Sequence, residues 1–337
     1  MKNPRAAHNF QGRTCSITGV GSYVPERILT NAELEKLVET SDEWITTRTG
    51  IKERRIAAAN EFTSDLATSA ALRAMQMAGV TADKINLIIV ATLTPDMPFP
   101  STACLVQRKI GALNAAAFDI EAACSGFIYA LEIGMQFIAS NTYETVLVIG
   151  AEKLSSIVNW KDRNTCVLFG DGAGAAILQN RPNSHGLLTA VMGADGNKAD
   201  LLSMPGGGSA CPATQESVAQ GLHFLRMDGK ETFKNAVNAM VSAATEAMRR
   251  CEIDITKIKC VIPHQANQRI ISAVGERLGT TEEQLFVNLH KYGNTSAASV
   301  AIALDEAVAS GKIERGDLIL LVVFGAGLTW GAAVIEW

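Results

Sequence analysis

The sequence has little of what would assign it to several large classes of protein. Aromatic residues make up 6% of its 337 positions and charged residues 19%. No segment approaches the roughly 18 consecutive apolar residues of a membrane-spanning helix. The most apolar stretch, "LILLVVFGAGL" from Leu318, is short and interrupted by glycine. There is no C-x-x-C pair, and the seven cysteines are odd in number and widely spread. A disulfide framework and a structural zinc site are therefore not expected, and a reducing cytoplasm suits the chain. The formal net charge is −4. Nucleic acid is thus not favoured as a partner, and an anionic ligand would need a local basic cluster. The opening "MKNPRAAHNFQGR" lacks the apolar centre of a signal peptide.

What is abundant is small and apolar. Hydrophobic residues reach 47%, and glycine alone occurs 28 times. Small side chains let helices and strands approach closely, so tight α/β packing is expected. Continuous apolar runs, "INLIIVAT" (Ile85–Thr92), "TVLVIGA" (Thr145–Ala151), "IKCVIP" (Ile258–Pro263) and "LILLVVFG" (Leu318–Gly325), read as strands covered on both faces. Helical spacing is expected over Ser64–Ala78 and Phe233–Arg249.

The chain also echoes itself. "ALRAMQMAGVTADKINLIIVA" resembles "ATEAMRRCEIDITKIKCVIPH", and "FGDGAGAAIL" resembles "FGAGLTWGAAVIEW". A duplicated α/β unit accounts for this: a polar tail over 1–12, one half over 13–185 and a second over 186–337. Residues 195–220, with "PGGGSACP" among them, read as a long irregular insertion that could cover a site.

Three turns could carry chemistry. In "FDIEAACSGFIYAL", Cys124 follows a strand and opens a helix. A helix N-terminus favours a thiolate, and its free N–H groups can hold an oxyanion. A small buried residue at a crowded elbow would look the same. In "CVIPHQAN", His264 stands where a strand ends and a helix begins, as sites in α/β proteins do. It could equally pack or cap. In "YGNTSAASV", Asn294 precedes an alanine-rich helix and could cap it or donate into a site. If the halves are duplicated, the elbows of Cys124 and Asn294 are related positions, and both point to one cleft with His264. "FGDGAGAA" lacks the spacing of a phosphate loop. "SDEWITTRTGIKERR" places Trp44 among Arg48, Lys52, Arg54 and Arg55. This is a solvated basic face, or an indole and guanidiniums suited to a nucleotide-bearing anion.

These stretches, with "GVGSYVPERILTN" and "FGAGLTWG", run in one order from about Cys15 to the end. In that order they resemble the β-ketoacyl-acyl carrier protein synthase III family, initiating condensing enzymes of type II fatty acid synthesis within the thiolase superfamily. The resemblance implies an α/β fold of the thiolase type, five-layered αβαβα, from two similar halves. It further implies a homodimer, ping-pong kinetics and no bound cofactor, acetyl-CoA and malonyl-acyl carrier protein being substrates. By the same resemblance Cys124 is the nucleophile and takes an acetyl group as a thioester. His264 and Asn294 stabilise the enolate left by malonyl decarboxylation. The backbones of Cys124 and Ala326 form the oxyanion hole. Trp44, Arg48 and Arg163 meet the nucleotide of CoA, and Gly229, Phe233, Ala266 and Asn267 line its pantetheine tunnel. Phe99 reaches a partner subunit's acyl pocket, and Lys234 and Arg269 meet the acidic carrier protein.

Two departures matter. Gly325-Ala326-Gly327 stands where some relatives have three glycines, so the oxyanion hole requires backbone angles that suit alanine. Residues 195–220 diverge beside the entrance, which leaves acetyl, longer linear and branched primers open. A cysteine hydrolase shares the Cys…His…Asn order, but the C-G-[SA]-C-[WY] pattern is absent around Cys124. A relative using another acyl-CoA for a specialised metabolite is the closer rival.

Overall fold

The computed structural model describes residues 15–181 and 186–337. The expected tail over 1–12 and the boundary at 185 lie outside the described residues. Two sheets organise the rest. The first contains β1 (Cys15–Tyr23), β2 (Leu87–Ala91), β3 (Ala116–Ile120), β4 (Thr145–Glu152) and β5 (Gly172–Asn180), in the order β1-β5-β4-β2-β3. The second contains β6 (Leu187–Ala194), β7 (Cys260–Pro263), β8 (Leu318–Gly325) and β9 (Thr329–Glu336), in the order β7-β8-β9-β6.

The sheets match. In the first, β4 runs parallel to β2 and antiparallel to β5. In the second, β8 runs parallel to β7 and antiparallel to β9. One constant offset carries Leu87 onto Cys260 and Val146 onto Ile319, which are the paired residues of the two parallel ladders. No described strand matches β3. Its place beside β7 holds only an isolated bridge between Val261 and Leu285.

Helices make five layers. Helix α1 (Thr63–Ala78) and α2 (Thr102–Ile110) cover the outer face of the first sheet. Helices α3 (Gly126–Ala139) and α6 (Ser299–Ala309) lie between the sheets, and α4 (Gly229–Arg250) with α5 (Gln268–Leu278) covers the second sheet outside. The apolar runs are continuous because both faces are used. Leu87 and Ile89 turn to the central layer, whereas Ile88 and Val90 turn to the outer one. Glycine makes the central layer thin. A Cβ on Gly150 would meet the Ala297 carbonyl, and one on Gly174 would meet the Ala301 methyl. Among the described residues no helix is long and apolar enough to cross a membrane.

Two expectations change. Residues 195–220 are not wholly irregular. They hold a 3-10 turn (Gly196–Leu201), a two-residue strand (Leu202–Ser203) paired with Arg226–Met227, and a short helix (Gln215–Ala219) capped by Thr214. The basic face is also not wholly solvated. Arg54 is fully buried and donates to the Leu29 and Val167 carbonyls and to Asn31 Oδ1. Neutral acceptors from two separate segments, 29–31 and 167, make that burial tolerable.

Candidate active site

Cys124 lies in the turn between β3 and α3, the strand-to-helix elbow expected. Ala123 adopts φ 45°, a left-handed angle that costs a non-glycine residue about 1 kcal/mol. Glu121 Oε1 accepts from Ala123 N at 2.8 Å and holds the turn. The second half repeats this device. Ser296 adopts φ 48°, and Asn294 Oδ1 accepts from Ser296 N at 2.8 Å. The offset that relates the strands carries Glu121 onto Asn294, Ala123 onto Ser296 and Cys124 onto Ala297. Cys124 and Asn294 thus lie in related elbows but not at matching positions.

Asn294 is fixed from three sides. Its N–H donates to the Leu168 carbonyl at 2.8 Å, its carbonyl accepts from Gly170 N at 3.0 Å, and its Oδ1 is taken by Ser296. The side-chain oxygen is thus engaged within its own turn, and Asn294 lines the cavity that also reaches Cys124 and His264; the helix that follows takes its caps from Thr295 and Ala298 instead. His264 follows β7 directly, and its N–H donates to the Val322 carbonyl at 2.7 Å. Its Nδ1 lies 2.7 Å from Ser299 Oγ, which also accepts from Gln265 N at 3.1 Å. Ser299 is a partner that the sequence reading missed. Burial depresses the imidazole to about 4, so at neutral pH the ring is uncharged.

Burial acts on Cys124 in the opposite sense. The thiol is pushed up to about 12, by burial first and then by Glu152 and Glu121, while Ser296 and its own backbone N–H lower it. The resting cysteine is therefore a thiol. Burial thus works against the thiolate that a helix terminus favours.

Two cavities meet at Cys124. One, of about 360 Å³, opens past Trp44, Arg48, Gly229, Phe233, Ala266 and Asn267 and reaches Cys124, His264 and Asn294. The other, of about 340 Å³, continues beyond Cys124 between Leu93, Leu154, Ile157, Met204 and Leu225, with Glu121, Ser296 and Ala326 on its wall. Phe169 and Leu202 line both. The segment 195–220 thus supplies Leu202, Ser203 and Met204 to this inner chamber, which makes it a wall as well as a cover.

The Ala326 backbone stands at the β8–β9 turn. The positive φ of this turn falls on Gly327, at 127°, so alanine at 326 carries no left-handed strain. Thr329 Oγ1 lies 3.0 Å from the Ala122 carbonyl and 2.9 Å from the Ala326 carbonyl, which ties the turn to the Cys124 elbow. Gly325 keeps this junction clear: a Cβ there would lie 2.7 Å from Cys124 N.

At the mouth, the Arg48 and Arg163 guanidiniums lie 4.6 and 5.2 Å from the Trp44 ring centroid. Arg163 also donates to the Glu39 carbonyl. Asn267 caps α5 through Arg269 N and donates to the Arg48 carbonyl, so it is a strut as well as a wall. Lys234 and Arg269 are exposed beside Phe233, with the Arg269 guanidinium 5.6 Å from that ring. Phe99 lines neither cavity. It is 84% exposed.

Known proteins agree with this architecture. Residues 118–196 match the family model described as 3-oxoacyl-[acyl-carrier-protein] synthase III, and residues 248–337 match the model of its C-terminal part. The beta-ketoacyl-[acyl-carrier-protein] synthase III of Caldanaerobacter subterraneus is 59% identical over 95% of this chain and 97% of its own length. The crystal structure of 3-oxoacyl-[acyl-carrier-protein] synthase III from Aquifex aeolicus superposes with TM-score 0.89 at 50% identity, covering 96% of this chain and all of that one. A priming beta-ketosynthase of the R1128 polyketide pathway also gives TM-score 0.89, at 36% identity over 96% of both chains. Fold, cavities and sequence thus agree: this chain belongs to the 3-oxoacyl-[acyl-carrier-protein] synthase III family of condensing acyltransferases.

Proposed function

We propose that this condensing enzyme joins acetyl-CoA to malonyl-acyl carrier protein through an acyl-Cys124 thioester, giving acetoacetyl-acyl carrier protein, CoA and CO2, and so initiates fatty acid synthesis. The observation that carries this reading is the position of Cys124 between a polar-mouthed tunnel and an apolar chamber. A thioester arm fits the first, and a short acyl group fits the second. The Cys124 sulfur attacks the acyl carbonyl, and the Cys124 and Ala326 N–H groups receive the oxyanion. CoA leaves and the malonyl arm takes its place. Neutral His264 and the Asn294 amide then donate to the malonyl thioester oxygen. They hold the enolate formed as CO2 departs, and its carbon attacks the acyl-Cys124. Neutral donors suit this step because they hold negative charge without protonating the nucleophilic carbon.

Trp44, Arg48 and Arg163 would bind the adenine and phosphates of CoA by stacking and charge. Lys234 and Arg269 offer the acidic carrier a local positive face on a net-negative chain. A homodimer is supported by an open sheet edge. β3 ends the first sheet, and Asp119 on it caps α2 through Thr102 N at 2.6 Å and Ala103 N at 2.7 Å. Exposed Phe99 lies just before that helix. Phe99→Glu should weaken self-association, read as a fall in mass by light scattering. A variant of unchanged mass would place Phe99 off the interface.

The function itself is tested by incubating the enzyme with malonyl-carrier protein and a panel of acyl-CoA primers. Acetoacetyl-carrier protein formed from acetyl-CoA is the expected product. A chain that accepts only longer or branched primers would favour the priming-ketosynthase reading, which the chamber's volume keeps in play. The oxyanion geometry yields a separate expectation. Gly325→Ala should slow acylation by roughly 10²-fold, because its Cβ displaces the Cys124 N–H donor. Single-turnover acylation measures this, and an unchanged rate would show that the donor is not used.

A further inference from the structure

His264 can donate to the malonyl oxygen only from a ring nitrogen that carries hydrogen. A neutral imidazole carries one such hydrogen, on Nδ1 or on Nε2, and the partner of one nitrogen decides the state of the other. The partner of Nδ1 is Ser299 Oγ, 2.7 Å away, where α6 begins. Both side chains are buried. Among the described residues no hydrogen bond reaches Nε2, and His264 lines the tunnel together with Cys124 and Asn294.

The Ser299 hydroxyl has a second, fixed neighbour. Gln265 N donates to Ser299 Oγ at 3.1 Å. That N–H is held in place, because the Gln265 side chain is clamped at both ends. Its Nε2 donates to the Pro263 carbonyl at 2.7 Å and to the Phe286 carbonyl at 3.2 Å. Its Oε1 accepts from Asn288 N at 2.9 Å and from Leu289 N at 3.2 Å. Ser299 Oγ therefore already receives one hydrogen and has its own to place. Among the described residues it meets no acceptor other than His264 Nδ1. A hydrogen on Nδ1 would bring a second donor to the same oxygen and leave the buried hydroxyl hydrogen without a partner. A bare Nδ1 accepts that hydrogen, and all three groups are then paired. The ring also lies against the first residue of α6, where the positive end of the helix dipole disfavours an imidazolium. Alanine at 299 would pack as its buried neighbours Ala297 and Ala298 do, but would leave Nδ1 and the Gln265 N–H unpaired.

We propose that Ser299 is the positioning residue of His264: its hydroxyl donates to Nδ1 and keeps the ring hydrogen on Nε2, the nitrogen left for the malonyl thioester. This rests on the proposed function, in which His264 is a donor to the enolate. No proton passes between Ser299 and the ring during the reaction. The hydroxyl fixes one tautomer, and Nε2 supplies the hydrogen bond.

The test uses the whole enzyme labelled with nitrogen-15 at histidine. Long-range proton–nitrogen correlation near neutral pH tells a ring nitrogen that carries hydrogen from one that is bare. Of the five histidines, His264 is the one whose signals vanish in His264→Ala. Wild type should show hydrogen on Nε2 and a bare Nδ1. Ser299→Ala should move both nitrogens toward a mixture of tautomers. It should also slow malonyl-carrier decarboxylation by roughly 10- to 100-fold, the usual cost of removing the partner that fixes a functional imidazole. Acyl-Cys124 should still form at the wild-type rate, read by mass after a rapid quench with acetyl-CoA. Ser299→Thr, which keeps a hydroxyl, should restore the tautomer and most of the decarboxylation rate. A wild-type ring with its hydrogen on Nδ1 would overturn the assignment without any variant, so the test stands even where a substitution at 299 does not fold. A wild-type tautomer in Ser299→Ala, or equal loss of both half-reactions, would also overturn it. A tautomer that shifts while decarboxylation holds would instead overturn the donor role of His264 in the proposed function.

Discussion

Cys124→Ala is expected to carry no acyl adduct after incubation with acetyl-CoA and to condense roughly 10⁴-fold more slowly, or worse. No neighbouring group can substitute for the sulfur. Cys166 and Cys260 are buried elsewhere, and exposed Cys104 sits on the outer helix α2. The fold should survive, because alanine differs from cysteine by one sulfur in a site that already borders two cavities. The loss belongs to the second half-reaction only through its acceptor, so malonyl decarboxylation should continue. Intact-mass analysis and the rate of CO2 release check both parts. An adduct that persists in Cys124→Ala would assign the nucleophile to another residue.

His264→Ala should show the complementary pattern. Loss of one donor to a developing oxyanion typically costs about 10²–10³-fold, and that cost should fall on decarboxylation while acyl-Cys124 still forms. Equal loss of both half-reactions would count against the donor role. The pH dependence follows from the depressed imidazole. Its folded value, about 4, lies below the ordinary value of 6.5. The ring therefore stays neutral in the enzyme until pH falls through about 4, and decarboxylation should hold its His264-dependent part down to that point. The same shift contributes to stability with a definite sign. The contribution is complete above the unfolded value of 6.5 and is lost as pH falls toward 4, because the unfolded chain takes up a proton that the folded one refuses. Denaturant midpoints of wild type and His264→Ala should converge on acidification.

The elements that the sequence discloses are those whose signal is local. β8 occupies Leu318–Gly325 as its apolar run suggests, and α1 begins one residue before the expected Ser64. Cys124, His264 and Asn294 were legible because each stands at a strand-to-helix or loop-to-helix change that a few neighbouring residues announce. Their shared cleft needed the duplication and the family resemblance as well. What escaped depends on contacts between distant segments. Glu152 reads as the polar end of an apolar strand until the 92–94 turn closes over it. Ser299 reads as a helix residue until it meets His264, 35 positions away. Phe169 borders both cavities, and its backbone bridges to the distant Asn294. Arg54, one of several cations in a basic run, is buried for the same reason: its acceptors are contributed by Leu29, Asn31 and Val167.

The repeated elbow has a consequence for how such a site can arise. Both halves retain the left-handed residue and the side-chain clasp that holds it, Glu121 on Ala123 and Asn294 on Ser296. Only one retains a reactive group at the next position. In the other, Ala297 is fully buried and its carbonyl packs where a Cβ on Gly150 would fall. One copy of an inherited part has become a tool and the other a bearing surface. Symmetry provided two equivalent seats, and specialisation came from filling them differently.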